Sequence, residues 1–281
     1  MTSHQRWGNS LATLLVVAVG VVLIGPILLL ALFSFNDSSV IALPFEGFTL
    51  EWYRDALTDP AALAALGHSL VLAAVVAPVC VVLGTCTAWA LTRFRFPGRS
   101  AMTGLVGAPL VVPWLVIGIA GLLLFASLNV DLSLETVGVM HVMTTFPLVT
   151  ALVAARLVRF ERSQEEAALD LGASQWQMMT RVVLPQLAPA LAASLIFAFA
   201  WSFNNFEISF FTGGYDQTFP VWVYSVLRNS NNLPIVNAMS TLISVVQVVV
   251  VYLMWWAIRR VSRRRGGGDE LASMVTSGVR A

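Results

Sequence analysis

The chain has 281 residues, 58% of them hydrophobic and 11% charged, with a mean hydropathy of +0.80. That is too apolar for a soluble domain of this length, and a net charge of +1 gives no pull towards nucleic acid. An all-α protein of the membrane is the class that remains.

Six segments each supply the roughly 20 mostly apolar residues that a spanning helix needs. They are residues 11–34, 66–92, 102–128, 134–157, 189–211 and 236–258. Every basic residue is arginine, and in a six-span arrangement only Arg54 and Arg228 fall on one side. Arg93, Arg95, Arg99, Arg156, Arg159, Arg162, Arg181 and the run from Arg259 to Arg265 all fall on the other. The positive-inside rule makes that second side the cytoplasm and places both termini there.

The first segment runs too long for a signal h-region and lacks a small-x-small site before Asn36, so it is expected to be a retained helix. In the external loop after it, Trp52 and Tyr53 suit either a membrane interface or contact with a docking partner. Cys80 and Cys86 lie six apart in the second segment and point to different faces, which argues against a disulfide and against a metal pair. Arg93, Arg95 and Arg99 flank Pro97 and Gly98 in a short cytoplasmic turn. Pro109, Pro113 and Pro147 interrupt the third and fourth segments, where kinks are expected. His141 is a lone intramembrane imidazole, better read as an interhelical hydrogen-bonding group than as a proton relay.

Residues 166–185 read EAALDLGASQWQMMTRVVLP, a polar, helix-forming island between two apolar segments. Ser163 and Glu166 have capping-box spacing, which predicts a helix from Gln164 to about Leu171 ending at Gly172, and Ser174 with Gln177 repeats the signature. That second helix is expected to be closed soon after its start by Pro185. In the fifth segment Trp201, Ser202, Asn204, Asn205 and Glu207 crowd polar groups into a membrane helix, where burying them is costly. Two readings of Asn204 and Asn205 stay open: part of a substrate path, or interhelical glue. After residue 258 the arginines stop the last helix, and residues 262–281, with three consecutive glycines, read as a flexible tail. No phosphate-binding G-x-x-x-x-G-K-[ST] occurs, nor H-E-x-x-H or G-x-S-x-G.

The spacing Glu166-Ala167-Ala168, then Gly172, then Leu184-Pro185 resembles the EAA loop of type I ABC importer permeases. The resemblance extends through FSFND at 33–37, FTLEWYRDAL at 48–57, His68-Ser69-Leu70, RFRFPG at 93–98 and FFTGG at 210–214, and is nearest to the spermidine/putrescine branch. It implies a cytoplasmic N-terminus (1–10), a six-helix permease domain (11–261) and a coupling loop at 158–188 that grips an ATPase. The contact would fall to Glu165, Glu166, Ala167, Ala168, Asp170, Gly172, Ala173, Leu184 and Pro185, and a substrate path to Trp201, Asn204, Asn205 and Glu207. Polyamine permeases carry acids at the positions of Asn204 and Asn205; here Glu207 supplies one carboxylate, and Trp201 or Phe206 can face an ammonium group. The implied partners are an ATPase dimer holding ATP and magnesium, a second permease subunit, an external solute-binding protein and membrane lipid. This chain itself would hold no cofactor or metal and catalyse nothing. The implied location is the bacterial inner membrane. Phosphonate, opine, chelated iron or sugar are the alternative solutes, and a stand-alone secondary transporter is the alternative class.

Overall fold

The computed structural model of the chain describes residues 3–38, 45–229 and 233–264. In chain order the helices are α1 (Ser3–Phe33), α2 (Glu51–Thr58), α3 (Pro60–Arg93), α4 (Arg99–Gly107), α5 (Trp114–Ser127) and α6 (Leu134–Val158). They continue as α7 (Arg162–Asp170), α8 (Gln175–Met178), α9 (Leu184–Phe203), α10 (Phe206–Thr212), α11 (Phe219–Asn229) and α12 (Leu233–Arg264). Most of the expected tail, from residue 265 on, lies outside the described residues.

Residues 1–63 and 223–248 form one compact unit, and 64–222 with 249–281 a second. In the first unit, the stretch Thr13–Phe33 has a mean hydropathy of 3.0, and none of its most apolar window is buried by the chain. Of the described residues after it, Asn36 is buried and pairs with Phe48 in an isolated bridge. Trp52 Nε1 donates to the Asn36 carbonyl at 2.9 Å, and Tyr53 shares a 2.6 Å hydrogen bond with Ser34. Phe35 stacks on Phe48 and tilts against Tyr53. The two aromatic residues therefore fasten the loop from within, both half-buried. Asp59 then caps α3 by accepting from Ala61 N at 2.8 Å, with Pro60 in the first helical position where its missing N–H costs nothing.

The second unit carries the main core. Cys80, Val76 and Ala77 of α3 meet Val149, Val153 and Leu157 of α6, with Leu187 and Ala198 of α9. α6 packs along α9, and α5 along α10.

Among the described residues, five helices are long and apolar enough to cross a membrane, or six if one bent pair counts as a single span. That pair corrects the third expected span. Arg99–Leu110 and Trp114–Ser127 meet at 102°, because the Pro113 ring and its missing N–H prevent helix continuation through residues 111–113. The fifth expected span is also broken: α9 ends at Phe203 and α10 begins at Phe206.

Two further expectations about the central loop change. α7 starts at Arg162 with Glu161 as N-cap and no side-chain cap bond, so Ser163 lies inside the first turn and forms no capping box with Glu166. Pro185 does not stop the second helix. α8 runs through a π turn, Met179–Val183, directly into α9, making one stretch Gln175–Phe203. The wider π turn is one known way to absorb the N–H that a proline withholds from the ladder.

Candidate functional site

Two parts of the second unit gather the predicted residues. The first is the loop from α7 to α8. Gly172 has φ of +85°, and nothing lies within 4 Å of where a Cβ would stand. Gly172 N donates to Leu169 O at 2.9 Å and Ala173 N to Ala168 O at 3.1 Å. This is the Schellman pair that satisfies the last carbonyls of a helix and needs a left-handed residue between them. Across the turn Ser174 caps α8: Gln177 N donates to its Oγ at 3.2 Å, and Ser174 N donates back to Gln177 Oε1 at 2.9 Å. Helix, glycine turn and capped helix thus form a fixed corner.

The corner has an outer and an inner face. Glu166, Ala167, Asp170 and Gly172 are exposed, as are Leu171 at 89% and Trp176 at 74%. Glu166 has a loose partner among the described residues, Arg162 at 3.7 Å, with both side chains exposed. Glu165 points the other way and is buried. Arg93 Nε donates to its Oε1 at 2.9 Å, and Nη2 approaches the same oxygen to 2.7 Å. Ala168, Ala173, Leu184 and Pro185 are half-buried, Ala168 against the core. Of the nine loop residues named from sequence, four form the outer face and five are turned inward or sit along the helix into the membrane. Arg93, Leu171 and Trp176 were missed. The first is 72 residues from its partner, and the other two fall on positions that the motif leaves unspecified.

The second part is the break at Asn204 and Asn205. Among the described residues both amides make local bonds. Asn204 is exposed and its Nδ2 donates to Ala200 O at 2.8 Å, closing α9 and turning Oδ1 away from that helix end. Asn205 is buried and is the N-cap of α10, its Oδ1 accepting from Ile208 N at 3.1 Å. Its side chain is thereby committed to the backbone. Trp201 stands edge-on to Trp114 with ring centres 4.6 Å apart and tilts against Phe197 at 5.1 Å. Its Nε1 is buried without a hydrogen-bond partner among the described residues. Trp114 opens α5 immediately after the 102° bend, so the two interrupted segments meet at this aromatic pair. Gly118 permits the approach: a Cβ there would stand 3.1 Å from the Glu207 carbonyl oxygen. Glu207 is half-buried in the first turn of α10.

His141 fastens both sides of the break to α6. Its Nδ1 lies 2.9 Å from Ser202 Oγ, and its Nε2 3.1 Å from Ser209 Oγ. Ser209 already donates its hydroxyl hydrogen to Asn205 O at 2.7 Å. Its oxygen therefore accepts from Nε2–H, and Nδ1 accepts from Ser202, an assignment made from the network. The interhelical reading of His141 holds, and the serines are its partners. No group of three or more His, Cys, Asp or Glu among the described residues is placed to hold a metal.

A helical membrane bundle with interrupted spans and a capped polar corner has counterparts among solved structures. A bacterial ABC transporter that imports the acidic polysaccharide alginate superposes with a TM-score of 0.68 at 18% identity, over 92% of this chain and 98% of that one. The same kind of transporter in complex with its alginate-bound periplasmic protein gives 0.66 at 15% identity, over 92% and 96%. At these identities the likeness speaks for the fold, that of an ABC importer permease.

Residues 80–266 match the family described as binding-protein-dependent transport system inner membrane component, and the chain belongs to that family. It is 36% identical over 229 residues to the putrescine transport system permease protein PotI of Escherichia coli K12, covering 79% of this chain and 81% of that protein. It is 33% identical over 225 residues to the spermidine/putrescine transport system permease protein PotC of the same strain, covering 80% and 84%. The chain is an ABC importer permease.

Proposed function

We propose that this permease carries a polyamine such as putrescine or spermidine, passed to it by an external binding protein and driven by ATP hydrolysis on a separate subunit. The observation that carries the solute class is the junction of the two interrupted segments. A helix C-terminus presents partial negative charge, and α9 ends here within the apolar part of the bundle. Asn204 offers a carbonyl oxygen, Glu207 a carboxylate and Trp201 an aromatic face, all groups that attract an ammonium ion. Asn205 sets the geometry of the break. The permease names of PotI and PotC support the same class.

Glu166, Ala167, Asp170 and Gly172, with Leu171 and Trp176, form the surface offered to the ATPase dimer, where ATP and magnesium would be held. A second permease subunit completes the pathway, in the bacterial inner membrane with both termini cytoplasmic. The test is uptake of labelled putrescine and spermidine by proteoliposomes holding the complete transporter and its binding protein. Trp201→Ala and Glu207→Gln should each lower uptake about tenfold, equivalent to about 1.4 kcal/mol of lost cation stabilisation. Uptake of neither polyamine, with transport of a phosphonate, opine, iron chelate or sugar, would replace the solute class.

A further inference from the structure

Arg93 is the last residue of α3, and its guanidinium group reaches three separate elements. Nε and Nη2 engage Glu165 in the first turn of α7 at 2.9 and 2.7 Å. Nη2 also donates to the Leu157 carbonyl oxygen, in the last turn of α6, at 3.1 Å. The guanidinium carbon sits 5.5 Å from the centre of the Trp89 ring and 6.0 Å from that of Phe160. The side chains of Arg93 and Glu165 are only 10% and 8% exposed.

Such a pair is held unlike a surface ion pair, which is screened and worth little. Here the planar fork lies within 6.0 Å of two aromatic ring centres, and the carboxylate lies out of water, so separating the two leaves an unpaired charge in a poor solvent. The neighbouring acid, Glu166, is exposed with a loose partner. The two adjacent glutamates thus face opposite ways, one outward from α7 and one into the bundle.

We infer that Arg93 and Glu165 are positioning residues that transmit movement of α7 to the cytoplasmic ends of α3 and α6. A push on the outer face of α7 displaces Glu165. Glu165 carries the guanidinium with it, and the guanidinium draws on Leu157 and on its own helix. Removing the link leaves the outer surface intact while letting α7 move without the spans. The inference rests on the reading of that outer surface as the ATPase contact.

The experiment compares the wild-type chain, Arg93→Lys, Glu165→Gln and the double variant Arg93→Gln/Glu165→Gln, each in the complete transporter in proteoliposomes. Two quantities are measured: ATPase retained on purification, and solute taken up per ATP hydrolysed. The expected result is normal ATPase retention and a ratio about tenfold lower in both single variants. The double variant should be no worse than either, because members of one linked pair are not additive. A purely structural role would lower the amount of assembled complex and leave the ratio in what assembles unchanged. A wild-type ratio in the assembled variants overturns the inference, and so does failure of all three to assemble, which would assign the pair to assembly. A wild-type chain that retains no ATPase defeats the reading of the outer surface instead.

Discussion

Gly172 shows how a single backbone angle can be decisive. Its φ of +85° is available to glycine at little cost, and open space surrounds it. The penalty for any side chain there is therefore conformational, on the order of 1–2 kcal/mol, and larger for a β-branched residue. Gly172→Val should unlatch the Schellman turn and swing α7 relative to α8. Uptake is expected to be lost with membrane insertion unchanged, since the residue lies in the polar loop. Glu166→Lys should give the same pairing of results by reversing the charge at that position and cancelling the charge of Asp170 on the outer face. Uptake assays beside membrane fractionation decide it, and wild-type uptake by both variants would make the corner a mere connector. Gly172 and the Ser174–Gln177 box were readable from sequence because their bonds close within a few residues. Ser163 and Glu166 have equally good box spacing, yet α7 begins before them. The same local spacing thus yields a box at Ser174 and none at Ser163, where Glu165 of the first turn is instead paired with Arg93.

Among the elements, the hydrophobic runs announced the membrane segments, and the structure interrupts two of them. Mean hydropathy is blind to such breaks, because the residues on both sides stay apolar. Pro113 was a visible warning of the first. The second rests on Asn205 capping α10, and an Asn three residues before Ile208 was a signal that could have been taken as a helix start. The halves stay in register through His141, and this gives an ordered prediction. Ser202→Ala leaves Nδ1 without a donor in an apolar interior, which should cost about 1 kcal/mol. Ser209→Ala removes the acceptor for Nε2 and also the bond to Asn205 O, so it should cost more. Apparent Tm in detergent is the measure. A fall for Ser202→Ala equal to or larger than that for Ser209→Ala would contradict the tautomer assigned to His141.

At the scale of the whole molecule, the arginine distribution fixes the expected orientation. Reporter fusions after Arg99, at Gln164 and after Gly268 should report the cytoplasm, and those at Asp55, Asp131 and Asp216 the outside. The bent pair α4–α5 makes this a sharp test. If residues 99–127 re-enter instead of crossing, Arg99 and Asp131 will report the same side. Family and architecture were legible in the sequence because the EAA spacing and the hydropathy are properties of contiguous segments. The inward turn of Glu165 and the meeting of Trp114 with Trp201 were not, since each depends on residues brought together only by packing.

The Arg93–Glu165 pair also has a consequence for how the chain is made. Its two members are 72 residues apart, so at the ribosome the arginine appears long before the carboxylate that will hold it. Between them lie the residues of α4, α5 and α6, and the Leu157 carbonyl that shares the guanidinium comes almost at the end. α7 can therefore be seated against α3 only after α6 has been synthesised and its end has returned to the side where Arg93 waits. Until then the outer face of the loop has no fixed backing. If that outer face is the ATPase contact proposed above, a half-made chain offers the partner nothing rigid to grip, and the order of synthesis delays recruitment until α7 has been seated against α3 and α6.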